Sequence, residues 1–117
     1  MGAMSIQSLR SSANPASGIL KAAGNPQRLR ILCDLSDGEL SVGQLEAKLD
    51  LSQSALSQHL ARLRKARLVC TRRDRQTIYY SLDGRAAPAL LAMLSSLYAA
   101  RPAALVDGAF EGRAEAR

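Results

Sequence analysis

The sequence predicts a mainly α domain with one β-hairpin, and three features of its 117 residues carry that prediction. Apolar residues recur at helical spacing between residues 15 and 65; two short runs of β-branched and aromatic residues, LVCTRR and TIYYSL, follow; a last apolar segment with helical composition begins near Ala86. The expected order is four helices, two strands and a fifth helix over residues 15–101. One domain accounts for this length, burying about two-thirds of the surface that the unfolded chain exposes.

Each element has a local reason. Residues 1–14 are expected to be a flexible arm: Met1-Gly2-Ala3 ahead of Met4 reads as an expression scar, and Ile6 and Leu9 are the only large apolar groups in the Ser-rich stretch behind it. Asn14-Pro15 starts the first helix, because the missing proline N–H has no partner in a first turn anyway. That helix carries Ile19, Leu20 and Ala23 and stops at Gly24. Asn25-Pro26 repeats the device for a second helix through Leu29, Leu32, Cys33 and Leu35, closed by Asp37-Gly38. Ser41 and Gln44 form a capping box for a brief third helix, stapled by Leu40 and Leu45 and ending near Leu49. Ser52 caps a fourth helix, with Leu51 set to pack on Leu56. Two capped helices this close together make a helix-turn-helix, whose second helix is presented to the major groove.

On the fourth helix Leu56, Leu60 and Leu63 face the core, which turns Gln53, Ser54, Ser57, Gln58, Arg62 and Lys65 outward. The two strand-like runs meet at an Asp74-Arg75-Gln76 tip. A hairpin is marginal alone, so it must pack on the helices as a wing, with one of Tyr79 and Tyr80 toward the core. The last helix begins near Ala86 or Ala87, holds Pro88 in its first turn and runs to about Ala100. Its Leu90, Leu91, Met93, Leu94, Leu97 and Tyr98 cover more than one face and require a second surface. A homodimer through the first and last helices, using Ile19, Leu20, Leu90, Leu91, Leu94, Leu97 and Tyr98, supplies it. Residues 102–117 are expected to be a mobile tail.

Charge points to the partner. Residues 53–85 hold Arg62, Arg64, Lys65, Arg67, Arg72, Arg73, Arg75 and Arg85 against Asp74 and Asp83, which accounts for the whole net charge of +6. A basic stripe on a folded module is the footprint of a phosphate-binding surface. Aromatic residues make up 3% of the chain, too few for a single-strand stacking platform, so duplex DNA is favoured over RNA. Gln53, Ser54, Ser57 and Gln58 are the candidates for base edges, since Gln pairs bidentately with adenine and Ser bonds several edges. Backbone and wing contacts are assigned to Ser41, Ser52, Arg62, Arg72, Arg73, Arg75 and Gln76, and to His59, for which internal packing is the open alternative. No apolar run is long enough to span a bilayer, and two cysteines suit a reducing compartment, so a cytoplasmic, nucleoid-associated protein is expected. No phosphate-cradling glycine loop, nucleophile–base pair or carboxylate constellation suggests an enzyme or a cofactor.

The phrases NPQRLRIL, LSQSALSQHLARLRKARLV and TRRDRQTIYYSL, in this order, resemble the ArsR/SmtB family of bacterial winged-helix repressors over residues 16–100. The second and third look most like its NolR/BigR/SqrR/HlyU branch. The resemblance implies a homodimeric winged helix-turn-helix repressor on an imperfect palindromic operator, often released by a metal or a thiol-reactive signal. The family's metal motifs would need thiolates around Ser41 and Gly43, or His and carboxylates within Leu90–Tyr98; neither set is present, so no metal site is expected. Relatives commonly carry Gly at Asp50, which implies a strained left-handed turn there. Sulfide-sensing relatives pair a cysteine at the position of Cys33 with one just after a Tyr in the last helix, whereas here Ala99 follows Tyr98. Placed one turn after Leu29 on the second helix, Cys33 reads first as a small buried hydrophobe. A thiol- or persulfide-responsive repressor using Cys33 is the alternative, and a winged-helix module for protein interaction is the more distant one. Cys70 matches neither position.

Overall fold

The structure, a computed structural model, describes residues 5–100. In chain order it contains α1 (Ile6–Ser11), α2 (Ala13–Ala23), α3 (Pro26–Leu35), β1 (Leu40–Ser41), α4 (Val42–Lys48), α5 (Gln53–Lys65), β2 (Val69–Asp74), β3 (Thr77–Leu82) and α6 (Ala86–Ala100). The expected scar lies outside the described residues, as does the expected tail.

Local chemistry explains the helix starts. Asn25 Oδ1 accepts from the backbone N–H groups of Gln27 and Arg28 at 2.9 and 3.1 Å, with Pro26 in the first turn. The capping box at α4 is complete: Ser41 Oγ accepts from Gln44 N–H at 3.1 Å and Gln44 Oε1 accepts from Ser41 N–H at 2.8 Å. Ser52 Oγ accepts from Ala55 N–H at 3.1 Å and so starts α5. The turn after α3 ends at Gly38, whose N–H donates to the Leu35 carbonyl at 3.1 Å and whose φ of 140° only glycine adopts readily.

Four local expectations need correction. Residues 6–11, expected as part of an arm, form helix α1, because Ser5 Oγ caps Ser8 N–H at 3.1 Å. Helix α2 begins at Ala13, ahead of Asn14-Pro15, and Pro15 is tolerated within its first turn. The wing is three-stranded, in the order β1-β3-β2, since Leu40 and Ser41 pair antiparallel with Tyr80 and Tyr79. Asp50 is not left-handed: the Leu51 N–H donates to the Leu49 carbonyl at 2.9 Å and closes a tight turn around it at negative φ.

The core gathers Ile31, Leu32 and Leu35 of α3, Leu45 of α4, Leu56, Leu60 and Leu63 of α5, and Leu68 and Val69 entering β2. Ala22, Ala23 and Ala87 let α2 and α6 approach it closely. Burying each Leu side chain contributes about 1.5–3 kcal/mol, so the i, i+4, i+7 stripe of α5 fixes which of its faces remains outside. The wing is held by Leu82 and Tyr80, both packed against this cluster.

The candidate nucleic-acid interface

Helices α4 and α5, joined through residues 49–52, form the helix-turn-helix, and the three leucines of α5 anchor its inner face. Gln53, Ser54, Ser57 and Gln58 are consequently exposed on the first two turns of α5. Their side chains make no hydrogen bond to another described residue, which leaves every amide and hydroxyl group available to an outside partner. Helix α5 contains no acidic residue, and Arg62, Arg64 and Lys65 stand exposed in its last turns. Ser41 and Ser52 spend an oxygen lone pair on their caps, while each O–H can still donate to a phosphate.

In the wing, Asp74 and Thr77 are the last paired residues, so the turn is the two-residue tip Arg75-Gln76, with Arg75 at φ 62°. Primed two-residue turns need such a positive φ, which an Arg adopts only at some cost. Arg73, Arg75 and Gln76 are exposed there. Arg72 behaves differently. Its guanidinium pairs with both carboxylate oxygens of Glu39, Nε lying 3.2 Å from Oε1, and sits 4.5 Å over the Tyr79 ring. The pair draws the Glu39 carboxyl below the usual carboxylate range, chiefly through the hydrogen bond from Arg72, and pushes Arg72 upward.

His59 faces inward. Arg28 on α3 donates from Nε to the Ala22 carbonyl at 2.6 Å and from Nη1 to His59 Nδ1 at 3.2 Å. An arginine only donates, so Nδ1 accepts and the ring proton sits on Nε2 of a neutral imidazole. Desolvation, with Arg28 and Arg62 adding repulsion, lowers the His59 pKa. This bridge ties α2, α3 and α5 together, and His59 is more a joint between helices than a surface group. Cys33, read as a small buried hydrophobe, is exposed: it sits beside Leu32 on α3, and Leu32 occupies the inner face. Cys70 is also a free, exposed thiol, with Sγ 3.4 Å from Oγ of its cross-strand neighbour Ser81.

Sequence reasoning missed Arg28, Glu39 and the tyrosine platform under Arg72. Arg28 and His59 lie far apart in the chain, and no residue pattern announces their contact. Glu39 matters only once β1 is known to pair with β3.

A helix-turn-helix with a basic wing on its flank defines a winged-helix domain of the duplex-DNA-binding class. The sequence profile described as "Bacterial regulatory protein, arsR family" matches residues 25–71. The transcriptional activator HlyU of Vibrio cholerae is 48% identical over 95 residues, 81% of this chain and 88% of that protein. The nodulation protein NolR of Rhizobium meliloti is 54% identical over 83 residues, covering 71% and 68%. The crystal structure of the transcriptional repressor BigR from Xylella fastidiosa superposes with a TM-score of 0.73 at 36% identity, covering 81% of this chain and 97% of that one. The chain belongs to the arsR family of bacterial regulatory proteins, a family of DNA-binding transcriptional regulators.

Proposed function

We propose that this chain is a homodimeric repressor that binds an imperfect palindrome in duplex DNA. One observation carries the reading: Gln53, Ser54, Ser57 and Gln58 are exposed and unpaired on the early turns of a helix whose other face is locked into the core. Such residues penetrate a major groove deepest and read base edges, while Arg62, Arg73, Arg75 and Gln76, with Ser41 and Ser52, hold the backbone. Arg72 reaches a phosphate only by leaving Glu39. Support for the dimer comes from the exposed large apolar side chains: Ile6, Leu9, Leu20, Met93, Leu97 and Tyr98 all belong to α1, α2 and α6. Relatives carry both activator and repressor in their names; a dimer seated on an operator blocks polymerase by occupancy, which favours repression.

Gln53→Ala tests base reading. Operator affinity falls by about 1–3 kcal/mol while binding to random duplex stays put. Equal losses on both DNAs would sink the assignment. The second reading, a thiol-responsive repressor, is favoured by the exposure of Cys33 on α3. Treating the protein with a persulfide donor lowers operator affinity if this reading holds, and Cys33→Ser abolishes the response.

A further inference from the structure

Between α2, the last turns of α5 and the segment leading into α6 lies a partly open cleft of about 1010 Å³. Small-molecule sites typically span roughly 300–1,000 Å³, so this one sits at the large end. Its floor is apolar, formed by Ile19, Ala22 and Ala86 among others. Its rim carries Lys21, Arg28, Arg62, Lys65, Arg67 and Arg85. Asp83 is the one acid of the lining, and its Oδ1 already accepts from the Arg85 backbone N–H at 3.3 Å. Among the described residues the sole salt bridge joins Arg72 to Glu39, so none of these six cations has a carboxylate partner. Six like charges around an apolar floor repel one another and focus a positive potential into the cleft.

Arg28 is the most fixed of the six. It is half-buried, held by the Ala22 carbonyl and His59, and its Nη2 meets no acceptor among the described residues. Lys21 and Arg85 belong neither to the helix-turn-helix nor to the wing, so the cleft is more than a margin of the DNA-binding surface.

We propose that this cleft binds a small amphiphilic anion, an acidic head on an apolar body such as a medium-chain carboxylate, and that its occupation weakens DNA binding. The head group sits among Arg28, Arg62 and Arg85, and the body covers the floor. The coupling rests on the phosphate role proposed for Arg62, because a cation neutralised from the cleft is withdrawn from the duplex. By linkage, DNA then weakens ligand binding by the same factor.

The full DNA-free chain is titrated with decanoate by calorimetry, beside 1-decanol and inorganic phosphate. Decanoate binds saturably, one per chain, and each control at least roughly tenfold more weakly, a difference of about 1.4 kcal/mol. Arg85→Ala weakens decanoate binding, and Gly18→Leu removes it. Gly18 lines the cleft within α2, and a Cβ there meets no heavy atom within 4 Å, so the larger side chain occupies the cleft while improving the helix. Decanol binding as tightly as decanoate, phosphate binding as tightly, or Gly18→Leu binding like the parent would overturn the proposal. So would dissociation of a Gly18→Leu dimer, which would assign the cleft to a second copy of the chain. On DNA, saturating decanoate flattens the log-affinity against log-salt slope by roughly 0.9 for the cation withdrawn. Intact decanoate binding with an unchanged slope overturns the coupling and leaves the DNA-binding reading standing.

Discussion

Arg67 occupies a position where glycine is the usual residue. The Leu68 N–H donates to the Leu63 carbonyl and the Arg67 N–H to the Arg64 carbonyl, both at 3.0 Å, with Arg67 at φ 63°. Together they form a Schellman motif whose apolar contact joins the buried Leu63 and Leu68. An L-residue pays about 1–2 kcal/mol in that conformation. Part of this returns through the greater unfolded-state freedom of glycine, so Arg67→Gly raises stability by about 0.5–1 kcal/mol, read as a higher Tm. Arg67→Val lowers it, and a Gly variant no more stable than the parent would contradict the strain. His59 supplies a pH signature. Its pKa is lowered in the fold from an ordinary value of 6.5, so below that value the unfolded chain binds more protons. Stability is therefore fully present above pH 6.5 and declines as pH falls through 6.5 toward the lowered folded value. Thermal melts between pH 8 and pH 5 show a shallower acid decline in His59→Gln than in the parent; parallel curves would remove His59 as the titrating group.

At the level of elements, what could be read from the sequence was what short-range chemistry decides. Asn25-Pro26, the Ser41 and Gln44 box, the Ser52 cap and the leucine stripe of α5 lie within one or two turns, and each is found where the residues imply. The exposed face to which base reading is proposed followed from that stripe. Elements defined by distant partners were hidden: β1 is two residues long and exists through its pairing with Tyr79 and Tyr80, and the C-cap at Arg67 lacks its glycine signal. The same pairing reshapes the wing. Ser41, Tyr79 and Arg72 stand in register across the three strands, so the Glu39–Arg72 pair clasps β1 and β2 over the central strand. Arginines of the wing consequently divide into one that fixes the sheet and others that are unengaged. Arg73→Ala flattens the salt slope of DNA binding by about 0.9, whereas Arg72→Ala changes it less and Glu39→Gln, which releases Arg72, steepens it. Identical slopes for the two arginine variants would refute this division.

For the whole molecule, the distribution of apolar surface is the remaining constraint. Helix α1 buries no residue, and Ile6 and Leu20 are 67% and 61% exposed while Leu97 and Tyr98 stand near half exposure. Among the described residues, the six large apolar side chains that stand exposed all lie on α1, α2 and α6, the kind of surface that a second copy covers. In the dimer proposed above, the two copies of α5 enter successive major grooves, about 34 Å apart on the duplex. Leu97→Glu puts an unpaired charge into this contact without touching the core around Leu56, Leu60 and Leu63. The variant therefore sediments as a folded monomer with a near-native helical spectrum. Its affinity for a palindromic operator drops by roughly 100-fold or more, because the second half-site is no longer bound at the high effective concentration that tethering provides. Its affinity for an isolated half-site is unchanged. A parent chain that is already monomeric at micromolar concentration would overturn the dimer, and a Leu97→Glu dimer would place its interface elsewhere.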